Sequence, residues 1–248
     1  MKGPGSGNWP VRLRLHLHRW HTVGVVEQLL LIGAGGFARE TAEAVRAVNA
    51  TENTWDLLGF LDDDPALLGV RVGDVPVVGP IDAVHEHPDA MVVLCTGRPD
   101  NYVSRRLIAH RIDLPDHRYA TIVHPDVSMG STASVGVGSV LLAQVVLTAD
   151  VRVGRHVAVM PQTVLTHDVL VQDWATLASG VRLGGGVTIS EGAYLGSAVS
   201  VREGCTIGAW SMIGMGSVVT RDVPPERLWF GAPARDISPA PLPIGHLA

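Results

Sequence analysis

The sequence has few of the residues on which several protein classes depend. It contains only two cysteines, Cys95 and Cys205, and a single lysine, Lys2. Two cysteines exclude a disulfide framework and a zinc site built from several thiolates, and they fit a reducing compartment. A lone lysine near the start excludes Schiff-base catalysis. No apolar run approaches the ~20 residues that cross a membrane, so we expect a cytoplasmic protein without a membrane span.

Aromatic residues and concentrated positive charge are also scarce. Aromatic residues make up 5% of the chain while hydrophobic residues make up 46%, so the core must be aliphatic. The 19 basic and 24 acidic side chains give a formal net charge of -5. An acidic chain without a basic block is a poor candidate for nucleic-acid binding.

The first 26 residues differ from the rest of the chain. They carry Lys2 and several arginines, with no acidic residue before Glu27. They lack the continuous apolar stretch of a signal peptide. We predict a poorly ordered extension over residues 1–26; a targeting segment or a nucleic-acid arm is the alternative.

Residues 27–122 read as a small α/β unit. Buried strands are predicted at 28–32, 57–61 and 91–95, and helices at 37–48 and 102–109. A Gly-rich turn, Gly33-Ala34-Gly35-Gly36, joins the first strand to the first helix. Strands alternating with helices predict a small Rossmann-like parallel sheet.

An internal repeat of six residues begins at Val123. Seventeen hexads fill residues 123–224; the first position is always Val, Ile, Leu or Met, and the fifth is never larger than valine. Neither a helix nor a two-layer sheet places an aliphatic residue at every sixth position. The period predicts short strands wound around one axis, with the first and fifth positions inside and each coil burying the next.

The hexads resemble the left-handed parallel β-helix of the hexapeptide-repeat acyltransferases, in which three hexads make one coil. The order of the parts resembles the PglD/NeuD-type sugar acetyltransferases over about residues 28–237. That resemblance is carried by the Gly-rich start at 32–40, the segment Phe60-Leu61-Asp62-Asp63, the hexads, and Phe230-Gly231-Ala232-Pro233-Ala234-Arg235. It implies a nucleotide-sugar-binding unit (27–122), an acyltransferase β-helix (123–237) and a tail (238–248).

The same resemblance implies acetyl-CoA as cosubstrate, a nucleotide-linked sugar as acceptor, no metal, and a homotrimer. It assigns the general base to His167, with Asp168 as its acidic neighbour. His167 occupies the third position of its hexad and is therefore expected to face outward at a corner. Whether Asp168 reaches the imidazole depends on the bend of that corner.

Residues 18 apart lie on adjacent coils, which places Gly185 next to His167. Glycines there predict an open ledge with accessible backbone N–H groups, and the resemblance assigns Gly185 to the acetyl site. Other residues that the resemblance places along the CoA channel are Gly184, Gly214, Gly216, Ala232 and Arg235.

For the acceptor, the resemblance implies that the nucleotide binds the Gly-rich turn and the residues that follow the second and third strands. These candidates are Gly33, Gly35, Gly36, Phe37, Asp62, Asp63, Gly97 and Arg98. Alone, the turn also fits NAD binding, with Asp62 on the ribose. Phe37 and Thr176 stand at two positions where some relatives carry a histidine.

The resulting hypothesis is an acetyltransferase that acts on the amino group of a nucleotide-linked sugar. The alternatives are sugar O-acetylation of the sialic acid type and a non-catalytic nucleotide-binding trimer. A metal enzyme of the γ-carbonic-anhydrase kind is disfavoured, because His124, His156 and His167 are not spaced by multiples of 18. We also expect Leu170, Val171, Trp174 and Trp210 to supply contacts between protomers.

Overall fold

A computed structural model describes residues 26–242. The expected extension over residues 1–26 therefore lies almost entirely outside the described residues. The α/β unit (residues 27–112) contains five strands and two α-helices, which are β1 (Glu27–Ile32), α1 (Gly36–Thr51), β2 (Trp55–Leu61), β3 (Arg71–Val72), β4 (Val75–Gly79), β5 (Met91–Leu94) and α2 (Ser104–Ile112).

The five strands form one sheet in the order β3-β4-β2-β1-β5, with β1 at its centre. Strands β1, β2, β4 and β5 run parallel, and β3 pairs antiparallel with β4. The apolar residues of β1 are fully buried because both faces of the sheet are covered. Helix α1 packs on one face through Ala38, Ala42 and Val45, small residues spaced three and four apart.

Past residue 120 the chain winds into short strands separated by four-residue turns. In chain order these are β6 (Ile122–Val123), β7 (Ser128–Met129), β8 (Ser134–Val135), β9 (Val140–Leu141), β10 (Val146–Leu147), β11 (Arg152–Val153), β12 (Ala158–Val159), β13 (Val164–Leu165), β14 (Leu170–Val171), β15 (Thr176–Leu177), β16 (Arg182–Leu183), β17 (Thr188–Ile189), β18 (Tyr194–Leu195), β19 (Ser200–Val201), β20 (Thr206–Ile207), β21 (Met212–Ile213), β22 (Val218–Val219), β23 (Arg227–Gly231) and β24 (Ala234–Pro239).

These strands stack into the three faces of a left-handed parallel β-helix. Face I runs from β6 through β9, β12, β15, β18 and β21 to β23 and β24. Face II contains β7, β10, β13, β16, β19 and β22, and face III contains β8, β11, β14, β17 and β20. From β6 to β22 every pair between successive coils joins residues 18 apart, such as Val146 with Val164, whereas β21 pairs with β23 at a spacing of 16, as in Met212 with Leu228. The interior is one column of aliphatic side chains from the first and fifth positions of the hexads.

The α/β unit packs on face I. Ile122, Val140 and Leu142 of the β-helix share a buried cluster with α1 and the sheet. Higher up the same face, the Tyr102 hydroxyl donates a buried hydrogen bond of 2.8 Å to the Trp210 carbonyl. The unit therefore covers face I, and the edge between faces II and III lies on the opposite side of the prism.

The predicted fold class is confirmed. The sequence analysis missed β3 and β4, and α2 begins and ends a few residues later than predicted. The expectation that Val171, Trp174 and Trp210 face other protomers is wrong. Val171 lies inside the prism, while Trp174 and Trp210 pack in clusters with residues of the α/β unit. None of the helices within residues 26–242 combines the length and apolarity needed to cross a membrane.

Candidate functional site

His167 lies on the edge between faces II and III, in the turn from β13 to β14. Its side chain is 68% exposed, and its Nδ1 lies 2.9 Å from Oδ2 of Asp168. Asp168 has a φ of 61°, in the left-handed region, and this bend brings two consecutive side chains together. With Nδ1–H donating to the carboxylate, Nε2 is left as a proton acceptor facing solvent.

The imidazole rests directly on Gly185 of the next coil. A Cβ atom at Gly185 would lie 2.3 Å from Cε1 and 2.4 Å from Nε2 of His167, closer than any real contact. Within residues 26–242 the Gly185 N–H donates no hydrogen bond, whereas the N–H of Gly184 pairs with the Val201 carbonyl. Gly185 thus offers a backbone donor beside the imidazole, and Gly184 does not.

A cavity of about 210 Å³ lies between the α/β unit and face I. The α/β unit contributes Phe37 from the first turn of α1, Gly97 after β5, and Arg105 from α2. The β-helix contributes Thr176 and Tyr194 from neighbouring strands of face I, together with Ala158, Met160, Ala178, Ser179 and Ser197. Aromatic and aliphatic walls with a few hydroxyl groups are typical of a site that binds a small ligand with both polar and apolar parts.

Arg105 is buried at the wall of this cavity and joins the two parts of the chain. Its Nε and Nη2 donate to the carbonyls of His156, Trp174 and Ala175, at 3.2, 2.9 and 3.2 Å. Nη2 also donates to the Thr176 hydroxyl at 2.7 Å, and Nη1 donates to the Thr96 carbonyl at 2.7 Å. Gly97 is required beside it, because a Cβ there would lie 2.3 Å from Nη1.

The Gly-rich turn sits at the start of α1, with Asp62 behind it. The Asp62 carboxylate accepts from the N–H of Ala34 at 2.8 Å and from the N–H of Asp64 at 2.9 Å. No side chain caps the first turn of α1, and that turn holds no acidic residue. The free N–H groups of Gly36 and Phe37 therefore leave an uncapped helix terminus next to the cavity, an arrangement that attracts anions.

Two other predicted acceptor residues form ion pairs at the surface. Asp63 pairs with Arg111 at 2.8 Å and also accepts from the Ile81 N–H. Arg98 is 80% exposed and pairs with Asp100 at 3.0 Å, so the structure does not place it in the cavity wall. The sequence analysis chose Arg98 and missed Arg105, because nothing in Ser104-Arg105-Arg106 alone shows which arginine faces inward.

Apart from Gly184, which lies in the turn from β16 to β17, the predicted CoA-channel residues lie around the last coil and the β23–β24 hairpin. Gly214 is needed for packing, since a Cβ there would lie 2.5 Å from the Phe230 ring. Gly216 has a φ of 69° with open space around it. Ala232 is exposed, and the exposed Arg235 donates to its neighbouring Ala234 carbonyl at 2.9 Å.

No three His, Cys, Asp or Glu side chains cluster as metal ligands in the part of the chain that the structure describes. His124, His156 and His167 are also separated. His156 is buried against the α/β unit at the edge between faces III and I, and His167 is on the edge between faces II and III.

Comparison with known proteins finds a matching family model and solved structures that are similar to this chain. Residues 28–110 match the family model of the PglD N-terminal domain. No curated protein sequence matches the chain. A solved structure of the acetyltransferase domain of PglB from Neisseria gonorrhoeae in complex with acetyl coenzyme A is 26% identical, with a TM-score of 0.76, over 86% of this chain and 100% of that one. The resemblance to PglD-type sugar acetyltransferases is confirmed.

A second solved structure extends this likeness. A variant of perosamine N-acetyltransferase from Caulobacter crescentus, in complex with CoA and GDP-perosamine, is 27% identical with a TM-score of 0.75. The match covers 86% of this chain and 98% of that one, so it includes both the α/β unit and the β-helix.

Proposed function

We propose that this protein transfers the acetyl group of acetyl-CoA to the amino group of a nucleotide-linked amino sugar. The observation that carries the proposal is the His167–Asp168 pair lying on Gly185 at an open edge. The pair supplies a general base, and the Gly185 N–H supplies a donor for an oxyanion. The PglB domain and perosamine N-acetyltransferase, named with acetyl-CoA and with GDP-perosamine, support this choice of substrates.

The reaction assigns a role to each group. The amine nitrogen attacks the thioester carbonyl carbon, and the N–H of Gly185 donates to the oxygen as it becomes negative. Nε2 of His167 takes the proton that the nitrogen loses, while Asp168 holds Nδ1–H and stabilises the imidazolium. The C–S bond then breaks, and the proton passes to the departing thiolate to give CoA and an amide.

The residues present fit both substrates. Gly185 leaves space beside His167 that any side chain would fill, and this space suits a thioester. Gly216 and the exposed Arg235 lie farther along the β-helix and would meet the rest of CoA. On the α/β unit, the uncapped start of α1 would hold the pyrophosphate, with the sugar in the cavity beside Phe37.

A second copy of the chain completes the site in this proposal. The cavity lies against face I, and His167 lies on the edge opposite face I of the same chain. A sugar in the cavity of one copy would therefore meet the imidazole of a neighbouring copy. A threefold ring gives every cavity one such neighbour, so we propose a homotrimer.

The test is a screen of UDP-, GDP- and dTDP-linked amino sugars with acetyl-CoA, monitored by thiol release and by the mass of the product. We expect one class of amino sugar to give a product that resists alkaline hydroxylamine, as an amide does. A product cleaved by hydroxylamine would instead be an ester and would establish O-acetylation. Binding of nucleotide sugars without thiol release would establish a non-catalytic module.

A further inference from the structure

The charge of the cavity wall bears on the protonation state in which the acceptor amine binds. Among the described residues that line the cavity, Arg105 is the only one with a charged side chain, and none is acidic. An ammonium group placed there would face a fixed cation and no carboxylate.

No anion among the groups that face Arg105 neutralises its charge. Its hydrogen bonds go to four carbonyls and the Thr176 hydroxyl. Three titratable groups act on the guanidinium, namely Cys95 from β5, His156 from the β-helix and Tyr194 from β18. Burial raises the pKa of Cys95 to about 12, raises that of Tyr194, and lowers that of His156 to about 3, so all three are neutral near pH 7.

We propose that Arg105 is a specificity-determining residue that makes the cavity select the uncharged amine of the acceptor. This inference rests on the proposed function. An amino sugar that carries an ammonium group in water releases one proton to solvent on binding and arrives as a nucleophile with a free electron pair. His167 of the neighbouring copy then accepts only the proton lost during attack.

The geometry explains why this cation stays in place. Four carbonyls and a hydroxyl hold the guanidinium from both the α/β unit and face I, so it cannot swing away when a ligand enters. A like charge within ~4–6 Å of an ionisable group disfavours the charged form, so we expect the pKa of the bound amine to fall by about one pH unit or more.

The experiment measures protons released on ligand binding, by titration calorimetry in buffers of different ionisation enthalpy. The full chain is saturated with CoA, and GDP-perosamine is the first probe, replaced by the substrate from the screen if the screen selects another. At a pH one unit below the amine pKa in water, we expect the native protein to release about 0.4 proton per ligand if the amine pKa falls by one unit on binding, and about 0.8 if it falls by two. GDP-mannose, which has no amine, is expected to release none.

Two substitutions make the charge of the cavity wall more negative by different means. Arg105→Gln removes the cation, and Ser197→Asp adds a carboxylate at an exposed position on the cavity wall. Both should reduce proton release, and in both the acidic limb of the kcat profile should move up by about one pH unit. Arg106→Gln removes the same charge from the next residue of α2, outside the cavity wall, and should behave as the native protein.

The outcomes separate this inference from the proposed function. If the screen finds an acetylated amino sugar but proton release is the same in the native protein and in Ser197→Asp, the role of Arg105 is wrong and the activity stands. Ser197→Asp decides the matter even if Arg105→Gln does not fold. If no amino sugar is acetylated, both proposals fail together.

Discussion

Two histidines of the β-helix rest on glycines of an adjacent coil, His156 at the edge between faces III and I and His167 at the edge between faces II and III. A Cβ at Gly138 would lie 2.3 Å from Nδ1 of His156, and a Cβ at Gly185 would lie 2.3 Å from Cε1 of His167. His156 is 2% exposed, whereas the side chain of His167 is 68% exposed. The repeat places each histidine in a turn between two strands, and the two histidines differ in what covers them.

The α/β unit makes His156 a packing residue. Its ring stacks on Trp174 at 4.2 Å between centroids and meets the edge of Tyr119 at 4.6 Å. Its Nδ1 has no hydrogen-bond partner within the described residues. At the open edge, His167 has the Asp168 carboxylate on one nitrogen and solvent on the other. Burial therefore makes one imidazole inert, and exposure beside a carboxylate leaves the other able to move a proton.

The strongest test of this contrast is His167→Ala. We expect turnover to fall by about 10²–10⁴-fold, because a positioned general base contributes that much. Melting temperature and assembly should stay unchanged, since the side chain is exposed. The measurement is thiol release with the substrate from the screen. His117→Ala, at an exposed position between α2 and β6, is the matched control, and near-native turnover in His167→Ala would refute the assignment of the base.

Gly185→Ala tests the ledge rather than the base. The added methyl group would displace the imidazole, and a shift of about 1 Å in a reacting group costs about 10²-fold in rate. The same substitution in the His167→Ala background should cost less activity than it costs in the native protein, because the displaced group is already absent. A full additional loss in the double variant would mean that Gly185 acts independently of the imidazole.

His156 should affect the pH dependence of stability. Burial lowers its pKa from 6.5 to about 3, so between these pH values the unfolded chain binds a proton that the folded protein does not. The free energy of unfolding should therefore fall as pH drops below 6.5, with a contribution of about 2 kcal/mol lost by pH 5.

The variant that isolates this effect is His156→Phe, which keeps a ring against Trp174 but cannot be protonated. Urea unfolding at pH 7 and pH 5 should show a smaller loss of stability in the variant than in the native protein. His110→Phe, at an exposed position of α2, serves as the control. An equal loss in all three proteins would show that His156 does not carry the pH dependence.

The repeat could be predicted from the sequence because each hexad position has one environment along the whole prism. The aliphatic first position is buried throughout the central coils, and the 18-residue spacing of the pairing follows from it. Strand β3 has only two residues and β4 contains Pro76, so neither gives a clear alternating pattern. Strand β4 joins the sheet through its pairing with β2, which is distant in sequence, and β3 pairs only with β4.

For the site, the sequence predicted the residues at the open edge better than the residues that line the cavity on face I. The family resemblance assigned His167 as the base, and the 18-residue spacing placed Gly185 beside it. Arg105 and Tyr194 lie 89 residues apart in the printed sequence, and only the docking of α2 on face I brings them to one cavity. Trp174 and Trp210 were misassigned for the same reason, because outward-facing positions of the repeat are covered on face I alone.

The 18-residue spacing also limits how chains of this architecture can change in length. Removing or adding one whole coil leaves every column in register, so each side chain stays on its own face. A change of six or twelve residues would rotate all later positions by one or two faces and carry an edge such as that of His167 beneath the α/β unit. Insertions between the two histidines should therefore come in multiples of 18, or protrude as loops from a corner.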